Sequence, residues 1–279
     1  YVTVNMVAHE EDLTGLQEYL LALDEIKVDA IIVASLYIAS LCQKLNTSYE
    51  VHLSTQLSIT NSKTIEFYKS LGIDRVVLAR ELDLKTIDML TKRSDLPIEV
   101  FIHGGMCVNY SGRCTLSNDM TLRDANRGGC AQSCRWTYEL TQGDQILSLK
   151  EDPFTMGSKD LETLDEIESL IQAGVVSFKI EGRMKSAYYI AVIVKAYRTW
   201  IDALATNTAD EALKARLKSE LRMAESRMTF DGYLNTLPDQ SGQVYVSQEE
   251  GALQNFVGTV LSVSDGKALV EIRNNLKLN

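Results

Sequence analysis

The alternation of short apolar segments with amphipathic helical segments over residues 1–205 constrains the fold more than any other feature. Apolar segments such as YVTVN, VDAIIVA and IDRVVLAR have the length and composition of buried strands. Each is followed by helical periodicity, as in SLYIASLCQKL and DLKTIDMLTKRS. The units recur about every 20–25 residues, as βα units do. Repeated units of this kind predict a parallel sheet that is covered by helices.

Two architectures accommodate such units, a (β/α) barrel and a doubly wound sheet. No glycine-rich phosphate loop follows the first strand, which favours the barrel. The sequence therefore predicts an α/β protein with a TIM-like (β/α) barrel over residues 1–205. Polar side chains at the carboxyl ends of the strands would then meet at one mouth, where barrels carry their sites. The strand-end residues are Asn5, Gln56, His103, Glu181 and Arg183.

The rest of the chain is organised differently. Residues 206–248 combine a charged helical pattern with turn-rich sequence and are interpreted as a connector. Residues 249–279 alternate around an Asp265-Gly266 turn, which predicts a hairpin and the start of a small β-barrel domain. The chain opens on a strand with no initiating methionine, so we expect it either to be cut from a longer protein or to lack a disordered or removed N-terminus.

Two local predictions fall within the barrel. A hairpin is expected around Gly143-Asp144, where two β-prone segments flank a turn dipeptide. Residues 158–174 are predicted to form one helix, with Ser158 as its N-cap and Gly174 as its stop.

Composition limits the partners. The net charge of −10 argues against a generally basic, nucleic-acid-coating surface, but it leaves room for a local basic patch. Such a patch surrounds the clustered cysteines. No run of about 18 apolar residues occurs, so neither a membrane span nor a membrane partner is expected. Without a secretory signal, we expect a cytoplasmic location and reduced thiols. The arginines of the patch are Arg113, Arg123, Arg127 and Arg135.

Four of the five cysteines lie in a Cys-rich insertion predicted at residues 103–136. Four thiolates suit a structural zinc ion, although the short two-residue spacing of zinc knuckles is absent. They also suit an iron–sulfur cluster, which tolerates wider spacings. A nucleophilic pair of His103 with one thiol would leave three cysteines without a role, and unligated thiols remain an alternative. The fifth, Cys42, has apolar helical neighbours and is predicted to be a core thiol. The clustered cysteines are Cys107, Cys114, Cys130 and Cys134.

The segment KIEGRMKS carries four charged residues at the end of a predicted strand. Strand alternation places Lys179 and Glu181 on one face, where they could form a structural ion pair. The functional alternative is that Glu181 transfers a proton while Arg183 or Lys185 binds an anion, such as a substrate carboxylate or an RNA phosphate.

The segments FIHGGMCVNYSGRCTLSN, RDANRGGCAQSCRW and FKIEGRMKSAYYIAVIVKAYR together resemble peptidase family U32, and the resemblance covers most of the chain. It implies a TIM-like barrel followed by a small β domain, with the first βα unit and the end of the β domain missing here. It also implies a 4Fe–4S cluster held by Cys107, Cys114 and Cys130. Cys134 is then the remaining candidate for the fourth ligand, and zinc is the alternative metal.

The family was named for collagenase-like proteases, but the resemblance is strongest to its RNA hydroxylation branch. It implies an Fe–S-dependent enzyme that acts on tRNA or other RNA, hydroxylating carbon 5 of a tRNA wobble uridine. We expect small-molecule oxygen and electron donors of unspecified identity, and a homologous partner subunit is one candidate partner. The catalytic candidates are His103, Glu181 and Arg183. The substrate-binding candidates are Asn5, Gln56, Arg113, Arg127, Lys179 and Lys185.

Two other functions remain open from the sequence. A U32-type peptidase would agree with the family name, yet the chain has neither an HExxH zinc motif nor a GxSxG nucleophile motif. A non-catalytic RNA-binding protein with a structural metal would use the same cysteines.

Overall fold

The structure is a computed structural model and describes residues 1–148, 154–244 and 258–272. The end of the hairpin predicted around Gly143-Asp144 lies outside the described residues. The same holds for residues 245–257 and 273–279 of the predicted connector and β domain.

Helices and strands alternate along the described chain as the sequence predicts. The helices are α1 (Leu16–Glu25), α2 (Leu36–Leu45), α3 (Ser62–Ser70), α4 (Leu84–Arg93), α5 (Leu116–Thr121), α6 (Ile167–Gln172), α7 (Ala187–Ala205) and α8 (Glu211–Ala224). The strands are β1 (Val2–Val4), β2 (Ala30–Val33), β3 (Glu50–Leu53), β4 (Arg75–Val77), β5 (Ile98–Gly104), β6 (Thr137–Tyr138), β7 (Thr141–Gln142), β8 (Gln145–Ile146), β9 (Phe154–Thr155), β10 (Asp160–Glu162), β11 (Ser177–Ile180), β12 (Thr229–Phe230), β13 (Gly258–Ser264) and β14 (Lys267–Ile272).

The largest sheet is parallel over most of its width, as predicted. Five strands are adjacent in the order β1-β2-β3-β4-β5, and β11 pairs with β5. Each of these pairs is parallel, with Val4 opposite Val33 in the first pair and Ser177 opposite Glu99 in the last. β10 runs antiparallel to β5, and β12 runs parallel to β10. The carboxyl ends of the parallel strands therefore lie along one edge.

Helices cover one face of this sheet. Ile98, Val100 and Ile102 of β5 belong to a buried core that also contains the apolar sides of α1–α4 and α6–α8. The intervening Glu99 and Phe101 point to the opposite face, because side chains alternate along a strand. A doubly wound sheet carries helices on both faces. The one-sided packing therefore supports the barrel type of winding over the doubly wound alternative.

The described strands form an open sheet and not a closed barrel, and the N-terminally incomplete barrel expected from the sequence stays a prediction. Among these strands, β1 pairs only with β2 and β11 only with β5, so the sheet stays open between these two edges. A closed TIM barrel has eight parallel strands, and the described parallel set is smaller. The fold shown is thus a mixed α/β structure with an open parallel sheet.

The prediction of one helix over residues 158–174 is wrong for its first half. β10 occupies part of that range, and α6 begins only at Ile167. Ser158 does not cap a helix; its hydroxyl donates to the carbonyl oxygen of Met106 (3.2 Å). Asp160 and Leu161 are buried between β5 and β12, and this tertiary pairing overrides the local helical pattern.

The remaining predictions have separate outcomes. Cys42 is buried in the helix-covered core, as predicted. β7 and β8 pair around Gly143-Asp144, and β13 and β14 pair around Asp265-Gly266, so both hairpins are confirmed within the described residues. The assignment of a β-barrel domain stays a prediction. No helix in the described ranges has the length and apolar character needed to cross a membrane.

Tyr197 joins α7 to two strands through a single hydroxyl. The hydroxyl donates to the carbonyl oxygen of Ile102 in β5 (3.0 Å) and accepts the backbone N–H of Thr163 (3.0 Å), which follows β10. It also lies 3.1 Å from Nδ1 of His103. The side chain is almost fully buried, so water cannot replace these partners.

We predict that Tyr197→Phe lowers the free energy of unfolding by about 1–3 kcal/mol, because it leaves buried backbone groups unpaired. Urea unfolding measures the change. Tyr37→Phe on the exposed side of α2 is the matched control and should stay within about 0.5 kcal/mol of the wild type. Equal stabilities of the two variants would contradict this description of the α7 contact.

Candidate functional site

Five residues singled out in the sequence line one cavity at the carboxyl edge of the sheet. The cavity has a volume of about 400 Å³ and is called here the Asn5 cavity. Tyr19 of α1 contributes a half-exposed aromatic ring to its lining. The structure therefore brings strand-end residues together with one of the clustered cysteines. The five residues are Asn5, Gln56, Arg127, Cys130 and Arg183.

One of the four clustered cysteines, Cys130, lines this cavity. All four are free thiols. Burial raises the pKa of Cys134, Arg135 lowers it, and negative charge on Cys107, Cys130 or Cys114 raises it further. A common metal site for all four stays a prediction.

Gly112 holds the first part of the cysteine segment, defined as residues 103–136, against the loop after β3. Its φ is +71°, and a Cβ atom there would lie 1.9 Å from the backbone oxygen of Gln56. Only glycine satisfies both conditions. Next to it, the Ser111 hydroxyl donates to the Glu81 carboxylate (2.8 Å). The turn between the first two cysteines is therefore anchored on the ends of β3 and β4.

Hydrogen bonds also reach two of the sulfurs. The Asn109 side-chain amide donates to Sγ of Cys114 (3.2 Å), and the backbone N–H of Gln132 donates to Sγ of Cys130 (3.4 Å). The Ser117 hydroxyl lies 3.9 Å from the same Cys130 sulfur. Donors of this kind stabilise a thiolate, which is the form that binds metals.

Arg80 is a site residue that the sequence analysis missed. Its guanidinium lies over the Phe101 ring, 3.7 Å from the centroid, and donates to the carbonyl oxygen of Gly105. Burial lowers the pKa of Arg80, while negative charge on Cys107 and then Glu181 raises it. Arg80 closes the segment IDRVVLAR, so the strand-end rule that selected Asn5 would also have selected it.

A buried carboxylate connects the cysteine segment to the sheet. Asp160 of β10 is fully buried, with its two oxygens 3.2 Å from Nη2 of Arg135 and 3.3 Å from Nζ of Lys185. Nζ of Lys185 also lies 3.5 Å from Glu225, just after α8. Because these cations neutralise buried acids, they are held in place by the fold. The predicted substrate contact of Lys185 stays a prediction.

His103 belongs to the same network. Its side chain is fully buried, Nε2 lies 2.5 Å from Oε1 of Glu225, and Nδ1 contacts the Tyr197 hydroxyl. Both ring nitrogens are engaged by these two partners, so neither is available to activate a cysteine thiol in this arrangement. His103 contacts neither the Asn5 cavity nor a cysteine, and its part in catalysis stays a prediction.

The arginine patch divides into paired and unpaired members. Arg127 lines the Asn5 cavity and is ion-paired with Asp12 (2.6 Å). Its predicted role in substrate binding stays a prediction. Arg113 and Arg123 are exposed and form no ion pair within the described residues. Arg183 is likewise exposed without an ion pair in that part of the chain. Sequence alone could not separate them, since Asp12 is distant along the chain.

Lys179 and Glu181 do not pair with each other. A register shift after Lys179 breaks the alternation of β11, and Nζ of Lys179 lies 2.8 Å from the buried Glu99 of β5. Lys179 is thereby neutralised on the inner face, which argues against its predicted substrate contact. Glu181 accepts the backbone N–H groups of Gly105 (3.2 Å) and Arg183 (3.0 Å) instead.

Glu181 lines a second cavity, of about 280 Å³, which is called the Glu181 cavity. Lys185 and Arg135 belong to its wall, and so does Arg227, whose pKa is lowered by burial and raised by charge on Cys134. Cys130 lines the Asn5 cavity and Cys134 lies near the Glu181 cavity. Cys130 is therefore exposed to one recess, and Cys134 directly precedes Arg135 in the wall of the other.

The cysteines fit an iron–sulfur cluster in number and in chemistry. Four free thiols lie in one segment of the chain, two of them accept hydrogen bonds, and Arg80 and Arg135 lower the pKa of Cys107 against the effect of burial. Within the described residues, no group of three or more His, Cys, Asp or Glu side chains is arranged so that it could hold a metal ion. Neither the cluster nor its alternative, zinc, is decided by this arrangement, and the cofactor stays a prediction.

Comparison with known proteins gives a family and several relatives. The model of peptidase family U32 matches residues 1–243. The chain is 41% identical to tRNA hydroxylation protein P1 of Bacillus subtilis (strain 168), over 98% of this chain and 66% of the relative. It is 37% identical to the 23S rRNA 5-hydroxycytidine C2501 synthase of Escherichia coli (strain K12), over 79% of this chain and 33% of the relative.

A third relative has a different name. The collagenase of Porphyromonas gingivalis (strain ATCC BAA-308 / W83) is 36% identical, over 84% of this chain and 58% of the relative. The chain thus spans about two thirds of the first of these three relatives and smaller shares of the other two.

The buried network predicts an acid-sensitive contribution to stability. Burial raises the pKa of Glu225, but His103 and Lys185 outweigh it, so the pKa lies below the ordinary 4.5. A carboxylate with a lowered pKa stabilises the fold above its unfolded value, and the contribution is lost as the pH falls through the folded value. We expect Glu225→Gln to cost about 3 kcal/mol at neutral pH and less in acid.

Urea unfolding at neutral pH and near pH 4 measures this difference. The control is Glu220→Gln, which removes a more exposed carboxylate of α8 that pairs with Lys195 (3.3 Å). It should change stability by less than about 1 kcal/mol at either pH. If Glu225→Gln lost the same stability at both pH values, folding would not lower the pKa of Glu225.

Proposed function

Because this chain belongs to peptidase family U32, we propose that it is the core of an RNA hydroxylation enzyme. The observation that carries the proposal is the Asn5 cavity, in which amide groups, an aromatic ring and an arginine without an ion pair in the described chain adjoin the Cys130 thiol. Relatives named for tRNA hydroxylation and 5-hydroxycytidine synthesis support RNA as the substrate class. The finer proposal is hydroxylation of carbon 5 of a tRNA wobble uridine.

The Asn5 cavity suits one flipped pyrimidine nucleoside. Its volume of about 400 Å³ lies at the small end of the range for ligand sites. The Tyr19 ring offers a stacking surface, and the amides of Asn5 and Gln56 carry the donor and acceptor groups that read the edge of a base. Arg183, which has no ion pair in the described chain, supplies a charge for the adjoining phosphate.

Cys107, Cys114, Cys130 and Cys134 would hold a 4Fe–4S cluster, which supplies one-electron redox chemistry when bound. The protein's part is to fix the four thiols and to balance their charge. Arg80 acts on Cys107 and Arg135 on Cys134, each lowering the pKa of the thiol against the effect of burial. Arg80 packs on the Phe101 ring, and Arg135 forms an ion pair with Asp160.

Glu181 is the proposed proton-handling group. Two backbone N–H groups orient its carboxylate, and it lines the recess on the far side of the cysteines. His103 acts as a positioning residue in this proposal, since it holds Glu225, which pairs with Lys185 in the wall of the same recess. The oxygen and electron donors are separate small molecules, and the Glu181 cavity gives one of them a route to the site.

The collagenase relative keeps a peptidase as the second candidate. A cysteine peptidase needs a histidine hydrogen-bonded to the nucleophilic thiol. His103, the histidine nearest to the cysteines in sequence, is occupied by Glu225 and Tyr197. A non-catalytic RNA-binding protein is the third candidate, and the same experiment separates it from the enzyme.

The test is nucleoside analysis by mass spectrometry of tRNA from a strain that lacks the full-length gene. We expect 5-hydroxyuridine to disappear and to return with the wild-type gene. Glu181→Gln should restore less than about a tenth of it, as loss of a proton-transfer group costs 10²–10⁴-fold. The control Glu139→Gln changes an exposed carboxylate of the neighbouring segment and should restore the full amount.

Unchanged 5-hydroxyuridine in the deletion strain would refute the tRNA proposal. Cleavage of labelled gelatin by anaerobically purified full-length protein, abolished in Cys107→Ala, would support the peptidase instead. Full restoration by Glu181→Gln would remove Glu181 from the chemistry while leaving the RNA proposal intact.

A further inference from the structure

A third cavity, separate from the Glu181 cavity, adjoins the Asn5 cavity and shares one of its walls. It has a volume of about 310 Å³ and is called the Arg113 cavity. Gln56 lines both cavities. The partition also contains Asn126, whose carbonyl oxygen accepts the backbone N–H of Val7 (3.1 Å) and the side-chain amide of Gln56 (3.5 Å). The two spaces are therefore fixed side by side by hydrogen bonds.

The chemistry of the Arg113 cavity is that of a site for one aromatic, singly charged group. Ala34 and Leu57 give it an apolar surface, and the largely buried Tyr68 also lines it. Arg113 is its cation: the side chain is exposed, donates weakly to the Ser58 hydroxyl (3.4 Å) and has no ion pair in the described chain. An unpaired arginine at the rim of an apolar recess favours a ligand that joins a ring to an anion.

Charge distinguishes the two cavities. Arg127, on the Asn5 side of the partition, is neutralised by Asp12. Arg113 and Arg183 are the cations of the two linings that lack such a partner among the described residues, one in each cavity. Two ring-sized spaces, each with one available arginine, match the repeat of a nucleic acid strand, in which each base carries one phosphate.

We propose that the Arg113 cavity is a second nucleotide subsite, which takes the nucleotide adjacent to the target in an unpaired RNA strand. The inference rests on the proposed function, since it assumes that the Asn5 cavity takes the target base. Bases of single-stranded RNA can be splayed apart and held separately. Gln56 stands between the two bases, and Arg113 binds the phosphate of the neighbour. The enzyme then selects its substrate by two successive nucleotides.

Such a subsite offsets the cost of extracting the target. Removing one base from a stacked loop breaks its contact with the next base. A recess that receives that neighbour restores the lost apolar contact and fixes the backbone on both sides of the target. Substrate selectivity would then depend on Gln56 and on the lining of the Arg113 cavity as well as on the Asn5 cavity.

The test measures RNA binding by the full-length protein. The probe is a fluorescein-labelled RNA hairpin with a seven-nucleotide loop that contains the target uridine. Three further hairpins each lack a single base: one lacks the target base, one the base on its 5′ side and one the base on its 3′ side. Dissociation constants come from anisotropy at several salt concentrations. The proteins are the wild type, Arg113→Gln, Ala34→Leu and the control Arg123→Gln, an exposed arginine outside both cavities.

We expect Arg113→Gln to weaken binding about tenfold and to reduce the salt slope by about 0.7, the value for one phosphate of a single strand. Ala34→Leu fills the cavity and should weaken binding of the intact hairpin. For the hairpin that lacks the neighbouring base, Ala34→Leu should bind as tightly as the wild type. The substitution and the missing base remove the same contact, so their effects on affinity should not add. Arg123→Gln should bind like the wild type.

Equal affinities and salt slopes of Arg113→Gln and Arg123→Gln would overturn the subsite. Additive effects of Ala34→Leu and the missing neighbour would overturn it as well. If Ala34→Leu does not fold, two measurements still test the subsite. One compares RNA binding by Arg113→Gln and Arg123→Gln, and the other compares binding of the intact hairpin and of the hairpins lacking a neighbouring base by the wild type. The proposed function fails separately, if the wild type binds the hairpin without the target base as tightly as the intact one.

Discussion

The fully buried carboxylate of Asp160 is the constraint on which the site depends. It lies between Arg135 of the cysteine segment and Lys185 beyond β11. Removing one partner of a buried ion pair leaves an uncompensated charge and costs several kcal/mol, so the three groups must stay together. Through them the cysteine segment is fixed to β10 at one edge of the sheet. The position of the thiols is thereby set by electrostatics as well as by packing.

The same edge collects the other functional groups because parallel strands end together. Residues at the ends of β1, β3 and β11 reach the Asn5 cavity, and Arg80 extends from the end of β4 towards the cysteines. Gly112 allows the cysteine segment to lie directly on the loop after β3. Cys130 lines the Asn5 cavity, whose wall carries two amides and two arginines, and Cys134 lies near the Glu181 cavity, whose wall is mostly charged. That separation suits a reaction that brings two different reactants to one redox centre.

The sequence predicted those features of the fold and the site that depend on short-range patterns. The strands, the parallel order and the meeting of Asn5, Gln56 and Arg183 followed from periodicity and from the strand-end rule. Partners supplied by distant elements could not be predicted in this way. Glu225 contacts His103 although the two residues are 122 positions apart in the sequence. Asp12 likewise pairs with Arg127 across 115 positions. Burial between two strands likewise turned part of a helical pattern into β10. The open sheet also reflects pairing, which no single segment encodes.

The central claim is that the thiols of Cys107, Cys114, Cys130 and Cys134 together hold one redox cluster. Iron and acid-labile sulfide counts on anaerobically purified full-length protein, taken with its visible absorption, test it most directly. The account predicts about four iron and four sulfide per chain, with loss of both in each of the four single Cys→Ala variants. Cys42→Ala, in the helix-covered core, should keep the cluster. A protein without iron and sulfide, or a full cluster in any of the four variants, would contradict the claim.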